Sequence, residues 1–303
     1  MNLEHLYILF LCFLFSFSKR LSNKQKTIIN IAFSLNNKYI NYFYTSLYSL
    51  LENSDKNTIY HIYVQIGTFF DNNYKEKIKK FEKIYFNCFI HFLDMKNDFS
   101  TAIQGRMDVS TYYRLKLPIL CPNINRIIFL DTDTIVLKDL TEFYTLNFEN
   151  KYILGRLDIL ANELDSLGIY INNYINGGVL LMDLYNLRKY NYVSKFLEYI
   201  KLHNNYRYLN HHDQTLINYV CHDKIGILKP KYHMWTFDNE EEIKQFNNRF
   251  RIKYNITELI RDYYNPFIVH FPGRAKTMVK KAKYLKKWEE YTELAINLTN
   301  KFN

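Results

Sequence analysis

Residues Arg126 to Leu140 read RIIFLDTDTIVLKDL: an apolar run, two aspartates separated by one threonine, then a second apolar run. The first run has the character of a buried strand, and Asp131 and Asp133 stand at its carboxyl end. On an extended segment residues two apart point the same way, so the two carboxylates would repel. A bound divalent cation removes that repulsion. Oxygen ligands suit Mg²⁺ or Mn²⁺, which keep open positions for water or substrate phosphates. A nucleophilic aspartate and a plain surface turn are the other readings, and a turn is the commonest origin of an isolated Asp-x-Asp.

Outward from this stretch, strand and helix signals alternate. IINIAF around Ile29–Phe33 predicts a strand, Ile40 to Leu51 carries apolar residues at helical spacing, and TIYHIYVQI at Thr58–Ile66 alternates like a strand. Asp71 can cap an amphipathic helix running through Phe86, and CFIHFLDM returns as a strand. A helix is expected over Ser110–Leu117, strands over Tyr152–Leu154, Gly178–Met182 and Pro266–Phe271, and helices from Leu187, Asp213 and Lys280. The fold class is therefore α/β, with a mainly parallel sheet buried on both faces. No Pro, Gly or Ser tract marks a linker, so residues 26–303 are read as a single domain.

The 303 residues are 48% hydrophobic and 23% charged, a globular composition. The formal net charge of +10 could suit a phosphate-bearing ligand, a membrane surface or nucleic acid. The lysines are scattered, as in YKEKIKKFEK, with acids interleaved at helical spacing. That pattern describes solvated helix faces, and nucleic acid is not expected as a partner. Leu6 to Ser18, LYILFLCFLFSFS, is uncharged and too short for the roughly 20 residues of a membrane helix, but it fits a signal-peptide core with cleavage after Ser18. Residues 1–18 are expected to be a signal peptide or a short membrane anchor, with a buried helix as the remaining alternative. Both leading readings send the chain to the lumen of the secretory pathway, ER or Golgi. Cys88, Cys121 and Cys221 are too widely separated for a zinc pattern or a disulfide framework, and are expected to be buried thiols, with a single bridge as the alternative. The sequons at Asn255 and Asn297 add little in so asparagine-rich a chain.

Several predicted strands are apolar to their last residue and then turn polar: SLNNKY after IAF, DTD after IIFL, GRLD after KYIL, and HFPG after PFIV. In open parallel sheets ligands bind beyond the carboxyl ends of the strands, so these groups are expected to converge on one site. His270, at one such end, would move the cation preference toward Mn²⁺, because imidazole is a softer ligand.

IIFLDTDTIV also fits the signature of haloacid dehalogenase phosphatases, whose first aspartate is phosphorylated. That family places its signature near the domain start and needs a later Gly-Asp metal loop, and no Gly-Asp pair occurs here. A different resemblance is carried by STYYRLKLP, RIIFLDTDTIVLKDL, INGGVLLMDL, HHDQTLINYV and IVHFPGRAK, in that order. Together they resemble glycosyltransferase family 8, retaining enzymes of the Rossmann-like GT-A fold. The likeness runs from about Ile28 to Lys276 and is strongest to the compact galactosyl- or glucosyltransferases.

The resemblance implies that Asp131, Asp133 and His270 hold Mn²⁺, with Mg²⁺ as the alternative, and that the cation bridges the diphosphate of a UDP-sugar. It places Lys276 and the backbone of Gly273 at the phosphates, and Ser34, Asn36 and Tyr39 at the uridine. The family usually carries aspartate where this chain has Asn36, whose amide oxygen can still accept from the uracil N3–H. Arg114, Asp158, Asn176, Asp213 and Gln214 match residues around the donor sugar, and Gly177-Gly178 would let the backbone approach closely. Asp213 is the better nucleophile if a covalent adduct forms, and Gln214 would lie near the anomeric carbon. Thr277-Met278 departs from the family's usual Pro-Trp. The expected activity is Mn²⁺-dependent transfer of a hexose, galactose or glucose, to a glycan or glycoconjugate acceptor with retention. A catalytically silent sugar-nucleotide or glycan-binding module is the alternative.

Overall fold

The computed structural model describes residues 26–96, 98–99, 108–160, 171, 173–202, 212–250, 252–272 and 283–301. The expected leader or anchor at residues 1–18 lies outside them, and so do Gly273, Lys276, Thr277 and Met278. Among the described residues no helix is long and apolar enough to cross a membrane.

The strands are β1 (Thr27–Leu35), β2 (Thr58–Ile66), β3 (Cys88–Asp94), β4 (Arg126–Leu130), β5 (Thr134–Val136), β6 (Ile153–Leu157), β7 (Ile175–Asp183), β8 (Ile225–Ile227), β9 (Met234–Trp235) and β10 (Ile268–His270). Seven form one sheet in the order β3-β2-β1-β4-β7-β6-β8, and β5-β10-β9 form a small second sheet. Neighbours in the large sheet are parallel except that β7 runs antiparallel to both β4 and β6. The sheet is thus mixed and mainly parallel. Among the helices are α1 (Ile40–Glu52), α2 (Asn72–Ile84), α3 (Leu184–Lys189), α4 (Tyr192–Leu202), α5 (His212–Val220), α6 (Glu240–Asn247), α7 (Ile256–Tyr264) and α8 (Leu285–Asn300).

Alternation along the strands builds a core on each face. Ile29, Ile31 and Phe33 of β1, Ile128 and Leu130 of β4, and Val179 and Leu181 of β7 pack under α1, whose Phe43, Leu47, Leu50 and Leu51 return at helical spacing. Ala32, Ile127, Phe129, Leu180 and Met182 point the other way, onto Leu184, Phe196, Leu216 and Ile217 of α3, α4 and α5. Both faces are covered, which is why these strands read as near-continuous apolar runs. Asp71 caps α2 by accepting from Asn73 N at 2.8 Å. Cys88, Cys121 and Cys221 are free and buried, as their spacing suggested.

Two expectations are corrected. The helix expected over Ser110–Leu117 is a 3₁₀ helix, Val109–Lys116. Pro118 has no N–H to reach the carbonyl of Arg114, and Leu117 N bonds to that carbonyl instead, which is the tighter pattern. The helix expected from Leu187 starts earlier, at Leu184, because Asp183 caps it by accepting from Asn186 N at 2.9 Å. It stops before Asn191, whose φ of 55° breaks the chain from α4.

Candidate active site

The reversal of β7 assembles the site. β1, β4 and β6 run the same way, so Leu35, Leu130 and Leu157 end at one edge of the sheet. Because β7 is antiparallel, its beginning, Ile175–Gly178, lies at that same edge. Asp131 N donates to Gly178 O at 2.7 Å, and Asp158 N donates to Tyr174 O at 2.9 Å. Residues from three separate segments are thereby placed around one crevice.

Asp131 and Asp133 sit in a turn rather than on the extended segment expected for them. Thr134 Oγ1 closes the turn by donating to Asp131 O at 2.9 Å. The chain then enters β5, which pairs antiparallel with β10 so that His270 lies opposite Thr134. This register brings His270 Nε2 to 3.2 Å from Asp133 Oδ1 and 3.9 Å from Asp131 Oδ2. One ligand atom from each of the three residues lies within 4.8 Å of the others. Gly178 forms the wall: a Cβ there would collide with the His270 ring and stand 2.8 Å from Asp131 Oδ2. Two carboxylates and an imidazole converging in this way suit a divalent cation such as Mn²⁺ or Mg²⁺.

Arg114 links this cluster to the next. Its Nη2 donates to Asp131 Oδ1 at 2.9 Å, its Nη1 donates to Gly177 O, and its Nε donates to Thr111 O at 3.0 Å. Asp213 Oδ2 lies 3.0 Å from Arg114 Nε as an ion pair, yet it has no hydrogen bond among the described residues, because that N–H is aimed at Thr111. Burial pushes the Asp213 carboxyl up to about 6; Arg114 pulls against this shift and Asp131 adds to it. Distance alone would have suggested a lowered value, but desolvation of the enclosed carboxylate wins.

Beside Arg114 a polar network spans three elements. Asp158 Oδ2 accepts from Asn176 Nδ2 at 2.8 Å and from Gln214 Nε2 at 3.2 Å. Asn176 Oδ1 accepts from Gly178 N at 2.8 Å, and Gln214 Oε1 accepts from Gly177 N at 2.9 Å. Asn218 pins the start of β7 by accepting from Ile175 N at 2.7 Å and donating to Ile175 O at 2.8 Å. Asp158, Asn176, Asp213 and Gln214, read from scattered motifs, are thus brought to one wall.

Near the end of β1, Asn36, Lys38, Gly67, Phe69, Asp108 and Tyr113 line a cavity of about 440 Å³. Ser34 Oγ donates to Gln65 Oε1 at 3.2 Å. Asn36 caps a short turn by accepting from Lys38 N at 2.9 Å, and Tyr39 packs at 5.9 Å from the Tyr42 ring. Asp108 also lines this cavity. Burial raises its carboxyl, but hydrogen bonds from the Ser110 backbone and from the side chains of Ser110 and Asn36 outweigh it and hold the group below its usual range. A larger cavity of about 600 Å³, lined by Tyr48, Ile84, Leu294 and Leu298, contains none of the expected site residues.

Sequence reasoning missed Asp108, Tyr174, Asn218 and His233. His233 is fully buried, with Nε2 2.9 Å from His270 Nδ1. Burial, then the neighbouring His270 and Arg156, push its ring well below the ordinary imidazole range. Nothing in PKYHMW distinguishes it from a core histidine. Asp108 did carry a signal, since Asp-x-Ser before a helical stretch is a cap, and it accepts from Ser110 N at 2.9 Å.

The sequence model of glycosyl transferase family 8 matches residues 30–277. Among curated proteins, General stress protein A of Bacillus subtilis is 26% identical over 267 residues, covering 86% of this chain and 91% of that protein. Among solved structures, the bifunctional glycosyltransferase WbbM superposes with a TM-score of 0.71 at 17% identity, over 91% of this chain. The chain spans about half of that protein's length, 52%. The galactosyltransferase LgtC, solved with donor and acceptor sugar analogues, superposes with a TM-score of 0.69 at 19% identity, over 90% of this chain and 97% of its own. These likenesses show the GT-A fold.

Proposed function

We propose, from the premise that the chain belongs to glycosyltransferase family 8, that this hexosyltransferase moves galactose or glucose from a UDP-sugar to a glycan or glycoconjugate acceptor, with retention and with a requirement for Mn²⁺. The family match displaces the phosphatase reading of IIFLDTDTIV. One observation carries the proposal: Asp131, Asp133 and His270, separated by 137 residues at the histidine, converge within 4.8 Å, an approach that the missing side chain of Gly178 permits.

A divalent cation held there would stabilise the negative charge that develops on a diphosphate leaving group. The chain's own residues do the rest. Asn36, Lys38 and Asp108 line a cavity suited to the nucleoside. Gly273 and Lys276 are proposed at the phosphates. Arg114, fixed on four sides, orients Asp131 and presents a positive charge beside the donor. Asp158, Asn176 and Gln214 form a wall of donors and acceptors suited to sugar hydroxyls. Asp213 is 4% exposed and held against Arg114, which favours a same-face attack by the acceptor over an adduct on Asp213. Delivery to the secretory lumen through residues 1–18 is part of the proposal, and following a tagged chain with and without that segment tests it.

The enzymatic test is incubation with a panel of UDP-sugars, Mn²⁺ and varied acceptors, following UDP release. Release with UDP-galactose or UDP-glucose, abolished by chelation, is expected. Mn²⁺-dependent UDP binding with no turnover on any donor would favour the silent binding module.

A further inference from the structure

A metal-binding imidazole coordinates through one ring nitrogen only if the other carries the proton, and that proton needs an acceptor. The usual acceptor is a carboxylate, a backbone carbonyl or water. At His270 the ring atom facing Asp131 and Asp133 is Nε2, so Nδ1 must carry the proton when a cation is held. What faces Nδ1 is another imidazole: His233 Nε2 at 2.9 Å, with ring centroids 5.1 Å apart and planes inclined by 36°.

We propose that His233 is a positioning residue of the metal site, whose Nε2 accepts the Nδ1–H of His270 and fixes the tautomer that turns the His270 Nε2 lone pair toward the cation. This inference rests on the metal reading given above. The pair has two arrangements. With His233 Nε2 as donor, His270 Nδ1 is bare and its Nε2–H points at Asp133 Oδ1, where it competes with a cation. With His233 Nε2 as acceptor, the lone pair of His270 Nε2 is free for coordination.

Burial and backbone pairing hold His233 in that place, although accepting at Nε2 puts its own proton on Nδ1, which has no hydrogen-bond partner among the described residues. Its ring is 0% exposed, and its backbone N–H donates to Pro230 O at 3.1 Å. The next residues, Met234 and Trp235, pair in parallel with Val269 and His270, so His233 lies diagonally across from His270, two positions back along the register. The choice of imidazole has a consequence. A carboxylate behind His270 would add a third negative charge to a cluster that already holds Asp131 and Asp133, whereas a neutral ring adds none.

The test is Mn²⁺ affinity without turnover, reading free Mn²⁺ by electron paramagnetic resonance for wild type, His233→Leu and His233→Gln. His233→Leu should weaken Mn²⁺ binding about 10–100-fold, the range for loss of such an outer partner. His233→Gln, whose amide oxygen can stand in for Nε2 as acceptor, should retain most of the affinity. A leucine variant that binds as well as wild type overturns the inference while leaving the metal site intact. A wild type that takes up no Mn²⁺ instead overturns the metal reading and this inference with it. Imidazole ¹⁵N shifts of the Mg²⁺-loaded wild type provide a readout that needs no variant to fold. A protonated His270 Nδ1 facing a bare His233 Nε2 supports the proposal, and the reverse contradicts it.

Discussion

Arg114 and Arg156 are both buried, at 4% and 0% exposure, and their surroundings are opposites. Arg114 donates to Thr111 O, Gly177 O and Asp131, and it lies against Asp213 and over the Phe129 ring at 4.1 Å. Arg156 has no hydrogen-bond partner for Nε, Nη1 or Nη2 among the described residues. Its guanidinium instead stacks over Trp235 at 4.4 Å, with Phe250 at 5.6 Å and Phe246 at 5.8 Å. Cation–π contact offsets part of the desolvation, about 2 kcal/mol or more when water is excluded, but it leaves every N–H unmade. One buried charge is thus held by the polar groups of the proposed site and the other by aromatic rings alone. Arg114 joins the Asp131–Asp133–His270 cluster to the Asp158–Asn176–Gln214 network, whereas Arg156 fills the space between β6 and the small sheet.

Methionine at each position puts this contrast to the test. Arg114→Met leaves the buried Asp213 carboxylate without its cation and Asp131 without its tether, and should cost about 3–5 kcal/mol. Chemical denaturation measures that cost, and UDP release from this variant should fall to background.

Asp213 offers a second, smaller effect, confined to a pH window. Its folded value of about 6 is raised above the ordinary 3.8, so the folded state holds the proton more tightly than the unfolded chain. The stability it contributes is complete below about pH 4 and is lost as pH rises through about 6. Asp213→Asn cannot titrate. Without added metal, the melting temperature of wild type relative to this variant should therefore fall between pH 4 and pH 6. A flat difference would mean that Arg114 keeps Asp213 ionised throughout.

The smallest effect is expected at Arg156. Replacing a buried, unpaired cation by an apolar side chain of similar size is often neutral or stabilising, so Arg156→Met should unfold within about 1 kcal/mol of wild type or above it. A loss as large as that at Arg114 would erase the distinction between the two arginines.

Much of the fold was legible because its signals are local. TIYHIYVQI became β2 at the expected residues, and Asp71 caps α2 as its position suggested. The direction of β7 was not legible, since an apolar run buried on both faces reads the same whichever way it travels. Nor was the small sheet, whose strands β5 and β9 hold three and two residues, too few to show a period. Among the candidate site residues, Asp131, Asp133, Arg114, Asn176 and Gln214 could be singled out because their motifs occur in order, and Asp158 because the polar GRLD follows an apolar strand. His233 and Arg156 could not, because what marks them is a neighbour distant in sequence: His270 for one, and Trp235 with Phe246 and Phe250 for the other.

Titrating Mn²⁺ into wild type and Asp133→Ala in the presence of UDP measures the founding assumption directly. Wild type should take up a cation whose affinity UDP strengthens, and the alanine variant, still folded by circular dichroism, should lose both the cation and the coupling to UDP. Equal binding by the two proteins would place the cation elsewhere and contradict the account.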